Sequence, residues 1–158
     1  MAKQSTGILL YRLHNQQPEV FLIHPGGPFW ARKDLHAWSI PKGEFSDDED
    51  SLDAARREFE EETGKSVSGD FIELSPVKQK GGKMVYCYAC EGDIDVKQIK
   101  SNTFEMEWPP RSGKKQTFPE IDCGEWFDPP NAKLKILESQ AVFIDELLMR
   151  IASGKRIK

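Results

Sequence analysis

Between Gly43 and Gly64 the chain carries ten acidic residues: Glu44, Asp47, Asp48, Glu49, Asp50, Asp53, Glu58, Glu60, Glu61 and Glu62. A run of charge is ordinarily a solvated face, and even scatter would mean no more than that. The placement here is not even. On a helix, Glu58, Glu61 and Glu62 stand at i, i+3 and i+4 and share one sector. Leu52, Ala55 and Phe59 form an apolar stripe beside them that would seat the helix on a sheet. Carboxylates gathered beside a buried stripe repel one another, and more strongly as water is excluded. A hard, oxygen-seeking cation such as Mg²⁺ or Mn²⁺ removes that repulsion. Arg57 can reach Glu61 or Glu58, either as an ordinary surface ion pair or as a guanidinium that orients a reactive carboxylate. Pairing geometry alone does not separate these two roles.

The elements needed to hold this helix can be read around it. Asp50 is a plausible N-cap, with Asp53 three residues on, and the helix runs from about Ser51 to Thr63 before Gly64 as a left-handed C-cap. Upstream, Ile8–Leu13 and Val20–His24 read as strands joined by a turn at 14–18, so a hairpin is expected. Phe71–Val77 and Met84–Cys90 are further strands, with Gly81-Gly82 at their turn. Asn102–Trp108 is a weaker strand, and the segment Pro109 to Lys115 reads as exposed. Glu125–Phe127 closes the strands, a helix is expected from Asn131, and Ser139–Ala152 has clear amphipathic spacing. The pattern predicts an α/β fold with a mixed sheet between helices, in one domain spanning residues 1–158.

Composition narrows the partners. Of 158 residues 38% are hydrophobic and 30% charged, with a net charge of −4. That balance argues against a nucleic-acid polymer as partner, but not against a small phosphorylated ligand beside a metal. No apolar run reaches the ~20 residues of a membrane span. Three sparse cysteines, Cys87, Cys90 and Cys123, fit a reduced chain, so the cytoplasm is the expected location. Cys87 and Cys90 do not read as a zinc site, since on a strand they face opposite sides and no second pair exists. His14, His24 and His36 form no ligand pattern. Oligomeric state is left open by the sequence.

Gly43, five residues, Glu49, seven residues, then Arg57-Glu58-Phe59-Glu60-Glu61-Glu62-Thr63-Gly64 reproduces the Nudix box, G-x5-E-x7-R-E-U-x-E-E-x-G-U. Every fixed position matches, as does the apolar slot at Phe59. The last apolar slot holds Lys65, with Val67 the nearest apolar side chain. The chain therefore resembles the Nudix hydrolases, which implies an α/β/α sandwich and divalent-metal-dependent cleavage of a pyrophosphate bond in a nucleotide substrate. The resemblance implies metal ligation by Glu58, Glu61 and Glu62, with the Gly43 carbonyl completing the shell. It further implies orientation of a glutamate by Arg57 and support from Glu49. The base would be a box glutamate or a later acid, a position that Glu120 resembles.

Pro41-Lys42-Gly43 is similar to the turn in Nudix enzymes acting on dinucleoside polyphosphates and diphosphoinositol phosphates. Lys42 would meet a phosphate there. The stretch from His24 to Asp34 resembles poorly characterised bacterial Nudix proteins. Phe29, Trp30, Tyr86, Tyr88 and Trp108 are candidates to stack on a base, though aromatic side chains bury well and core packing is the first reading for each except Trp30, which sits in a polar loop. Trp30 and Tyr88 are carried as substrate-binding candidates with Lys42 and Arg32; Lys33, Lys80 and Lys83 could also reach phosphate or simply be solvated. The expected substrate is a dinucleoside polyphosphate such as diadenosine tetraphosphate. A nucleoside triphosphate pyrophosphohydrolase and a non-catalytic nucleotide sensor are the alternatives.

Overall fold

The structure is a computed structural model that describes residues 3–79 and 81–157; Lys80 lies outside these. Strands β1 (Gln4–His14) and β2 (Gln17–Pro25) form the expected hairpin, with Asn15 and Gln16 at positive φ in its two-residue turn. Their pairing ends at Tyr11 opposite Val20, and beyond it the two strands diverge. The segment leading to Gly43 fills the gap. Ser39 bridges to Ile23 on β2, and β3 (Lys42–Glu44) pairs antiparallel with β1, Lys42 lying opposite Gly7. The sequence pattern gave no sign of β3, because three polar residues carry no period-2 alternation.

Helix α1 (Ser51–Thr63) follows with the expected bounds. The Asp50 carboxylate accepts from the Asp53 N–H, and Gly64 (φ 75°) donates its N–H to the Glu60 carbonyl. Two short strands, β4 (Phe71–Glu73) and β5 (Val77–Lys78), replace the single run expected over Phe71–Val77. Pro76 between them has no N–H to offer a ladder. Both pair with β6 (Met84–Glu91), whose parallel register with β1 makes the sheet mixed. A separate two-stranded ribbon of β7 (Thr103–Glu107) and β8 (Lys115–Pro119) precedes β9 (Ile121–Phe127), which pairs with β2. Helices α2 (Pro129–Lys135) and α3 (Ala141–Ile157) end the chain.

Side-chain alternation along β1 divides the core. Ile8 and Leu10 pack with Phe21, Tyr88 and Cys90 against Ala55 and Phe59 of α1. Leu9 and Tyr11 pack with Leu22, Cys87 and Ala89 against Ala132 of α2 and Phe143, Ile144 and Leu147 of α3. The sheet is thus covered by helices on both faces, an α/β/α sandwich. Cys87 and Cys90 fall on opposite faces, as the strand period requires. Lys65, in the last apolar slot of the box, turns outward to Gln98, and Val67 buries in the α1 layer in its place. No helix among the described residues is long and apolar enough to cross a membrane.

Candidate active site

Helix α1 sits with its apolar stripe on the sheet, which lifts Glu58 and Glu62 to the edge of the buried layer and leaves Glu61 more open. The Glu58 side chain is 13% exposed and that of Glu61 45%. Arg57 faces three carboxylates at once. One nitrogen is 2.9 Å from Glu49, and the other is 3.6 Å from Glu61 and 3.7 Å from Glu58. Glu49 also accepts from the Ser46 N–H, so the loop before α1 is tied to the helix face through one guanidinium.

β3 brings the backbone at Gly43 directly against Glu58. A Cβ at residue 43 would lie 1.9 Å from Glu58 Oε2, a space no other residue leaves open. One residue earlier, the Lys42 N–H donates to Glu62 Oε1 at 3.0 Å. Burial pushes the Glu58 carboxyl above its ordinary range; the charge of Glu61 adds to this, Arg57 opposes it and Glu120 adds a little more. Burial pushes Glu62 up to about 8, against the Lys42 N–H and with help from Glu58 and Glu120. Burial lowers the Lys42 ammonium, as does Lys83, while Glu62, Glu44 and Glu58 hold it up. These are the signs of charges crowded out of water with too little opposite charge.

Such a donor set fits a hard cation: carboxylate oxygens, a backbone turn pressed against one of them, and an electrostatic deficit that a divalent ion would relieve. Among the described residues, no three acidic, histidine or cysteine side chains already enclose a common point. The fit is therefore carried by Gly43, Glu58, Glu61 and Glu62 as neighbours on α1 and β3.

Next to these carboxylates lies a cavity of about 250 Å³ between the two halves of the splayed sheet. Lys42, Glu62 and Glu120 are its charged lining, and Trp30, Ile23 and Leu137 are among its apolar walls. The structure therefore brings together Trp30, Lys42 and Glu120 with the helix carboxylates. Two other candidates are elsewhere. Arg32 is exposed and outside the cavity lining. Tyr88 is corrected outright: it is 9% exposed beneath α1, with its hydroxyl bonded to Ser51 Oγ. Its place on β6, on the face that carries Ile8 and Leu10, makes it core rather than a stacking surface.

The loop that carries Trp30 is anchored by groups the sequence did not single out. His24, 5% exposed, has Nδ1 3.0 Å from Asp122 and Nε2 2.6 Å from the Lys33 carbonyl. Both ring nitrogens therefore face oxygen acceptors, which holds the ring between β9 and the Trp30 loop. Asp34 accepts from the Trp38 indole at 2.9 Å and is paired with Lys135 of α2. On the opposite wall, fully buried Gln140 accepts from the Ile40 N–H at 3.1 Å and bonds Ser39 Oγ, fixing the strand-like run into Lys42. Asp122, Lys135 and Gln140 lie about a hundred residues from the groups they hold, so no local spacing could reveal those contacts.

The NUDIX domain family model matches residues 1–147. The asymmetrical bis(5'-nucleosyl)-tetraphosphatase of Rattus norvegicus is 31% identical over 109 residues, covering 61% of this chain and 70% of that protein. A C. elegans Ap4A hydrolase binary complex superposes with a TM-score of 0.63 at 18% identity, over 96% of this chain and 99% of that one. The NUDIX domain of Shewanella oneidensis NrtR, complexed with ADP ribose, superposes at 0.64 and 17% identity, over 96% and 89%. At such identities the two structures speak for the fold alone. Fold and site together define the class, a hydrolase whose carboxylates ride on one helix of an α/β/α sandwich. The chain belongs to the Nudix family, and it is a Nudix pyrophosphohydrolase.

Proposed function

We propose that this enzyme hydrolyses a dinucleoside polyphosphate such as diadenosine tetraphosphate, with Mg²⁺ or Mn²⁺ held by Glu58, Glu61, Glu62 and the Gly43 turn. The observation that carries the reading is the Pro41-Lys42-Gly43 turn, whose lysine lines one cavity with Glu62, Glu120 and Trp30. The rat relative, a bis(5'-nucleosyl)-tetraphosphatase, supports the same substrate class. The bound cation would supply charge neutralisation and a more acidic water.

The chain's own residues supply the rest. Lys42, a point charge at the cavity wall, meets a bridging phosphate oxygen. Arg57 holds Glu61 and Glu58 in one orientation through its shared contacts. Glu120 or a box glutamate takes the proton as water oxygen bonds to phosphorus and the anhydride P–O bond breaks toward the leaving phosphate. Trp30 offers a ring to a base at the mouth. Arg32, exposed and outside the cavity, would at most meet an outer phosphate. The partner is a small nucleotide, not a nucleic-acid polymer or a membrane, and the cytoplasm is the proposed location.

The test is a turnover panel with Mg²⁺ and then Mn²⁺, comparing diadenosine polyphosphates, nucleoside triphosphates, nucleotide sugars and diphosphoinositol phosphates. Diadenosine tetraphosphate should give AMP and ATP, and chelator should stop the reaction. Release of pyrophosphate from triphosphates, with no cleavage of dinucleosides, would replace this reading with triphosphate pyrophosphohydrolysis. Folded, metal-loaded protein that turns over nothing would favour a nucleotide-binding module.

A further inference from the structure

The ribbon of β7 and β8 has no place in the sheet, yet its second strand runs straight into Glu120. It leans on the Trp30 loop at three points. Phe104 lies against Gly27, where a Cβ would come within 2.8 Å of the ring; the Gly26 N–H donates to the Glu120 carbonyl; and Phe29 meets Trp108 edge-on at 6.0 Å. Phe29 is 65% exposed, so the aromatic pair faces solvent on one side.

The ribbon's tip is built, not loose. Glu107 spends both carboxylate oxygens on backbone, accepting from Arg111 N–H at 2.9 Å and Gly113 N–H at 3.2 Å. Gln116 donates to the Trp108 carbonyl, and Ser112 Oγ accepts from the Lys114 N–H. Arg111 is held at φ 63°, a conformation disfavoured for a residue with a side chain. The outcome is that Arg111 and Lys114 leave one ordered turn, Lys114 on the ladder face of Trp108, while Lys115 stands opposite Glu107 on the other face. Neither Arg111 nor Lys114 has an ion-pair partner among the described residues. Two cations thus stand on the ribbon beside exposed Phe29 and half-buried Trp108.

We infer that this tip is a second nucleotide subsite: Trp108 and Phe29 take a base, and Arg111 and Lys114 take the outer phosphates of the same molecule. The inference rests on the dinucleoside polyphosphate reading above. From Lys115 to Glu120, five strand steps span roughly 16 Å. A substrate cleaved beside Glu120 reaches the tip only if it continues past the reacting phosphate into a further phosphate and nucleoside. Base stacking with positive charge is the combination that recognises such an end without reading its identity.

The experiment compares wild type, Trp108→Ala and the double variant Arg111→Ala, Lys114→Ala. It measures steady-state cleavage of diadenosine tetraphosphate, and calorimetric binding of its methylene-bridged, uncleavable analogue. Each variant should bind the analogue about tenfold more weakly and raise KM to match, with kcat kept. Trp108→Phe should recover most of the loss. Unchanged melting temperatures certify folding, since Arg111 and Lys114 are exposed and Trp108 is half-buried on a ribbon outside the main sheet. Variants that match wild type in KM and analogue binding overturn the tip subsite alone. Variants that lose kcat and keep their affinity overturn it too. A wild-type enzyme that cleaves no dinucleoside polyphosphate overturns both readings.

Discussion

The side chain that concentrates most of the site's electrostatics is Glu62. Its carboxyl is pushed from 4.5 to about 8 by burial, with Glu58 and Glu120 adding to the push. Between those two values the folded protein binds a proton that the unfolded chain has released. The metal-free protein therefore loses stability as pH rises through that window, and is favoured below it. Glu62→Gln cannot ionise, so its melting temperature in chelator should fall less between pH 5 and pH 8, ending above wild type at pH 8. The same variant should lose activity by more than about 100-fold, because even outer-shell partners of a metal site are worth 10–100-fold. A pH slope in chelator as steep as wild type would remove Glu62 as the buried acid. Arg57 behaves differently: its ion pairs are half exposed, so Arg57→Gln should barely move the melting temperature while lowering kcat.

At the scale of elements, α1 was legible to the residue. Its N-cap, apolar stripe and glycine stop are all local signals, and local signals are what a sequence prints. Asp50→Ala should cost about 1 kcal/mol through the lost bond to the Asp53 N–H, and urea unfolding would measure it. The shared sector of Glu58, Glu61 and Glu62 was legible for the same reason, whereas Gly43 entered only through the resemblance to the Nudix box. What stayed hidden is long-range. β3 exists because β1 and β2 splay, and β8 (Lys-Gln-Thr-Phe-Pro) has the polar content of a loop but pairs residue by residue with β7. Tyr88 was misplaced because a tyrosine on a strand reads the same from either face until the register with β1 is known. The anchors of the Trp30 loop were equally invisible. His24→Ala would leave the Asp122 carboxylate and Lys33 carbonyl short of a partner, at roughly 1–3 kcal/mol. That variant should melt several degrees lower and show a raised KM, since Trp30 is then held by fewer contacts. A lowered melting temperature with unchanged KM would show that the anchor serves stability alone.

Across the whole molecule, the sandwich works as a frame whose gap is its function. Two neighbouring strands part after Tyr11 and Val20; the cavity forms where they part, and the segment that fills the remaining space delivers Lys42 and Gly43 to the carboxylate helix. The crowded carboxylates make the apo protein less stable than its hydrophobic layers alone would allow, and a cation should return that stability. A ligand present at 100 times its Kd adds about 2.7 kcal/mol. For a chain of this size that is roughly 5–10 °C in melting temperature. Because the ion competes with protons on Glu58 and Glu62, the gain should be larger at pH 8 than at pH 6. Thermal unfolding with Mg²⁺, Mn²⁺ or chelator at both pH values measures this without any substrate. Glu62→Gln should show a much smaller gain at either pH, because one ligand is lost and the apo form is already relieved. If neither ion raises the wild-type melting temperature at pH 8, the four-residue cradle of Gly43, Glu58, Glu61 and Glu62 does not hold the metal on its own. The ion would then enter only with the phosphates of its substrate, and its stabilisation should appear when the uncleavable analogue is added with it.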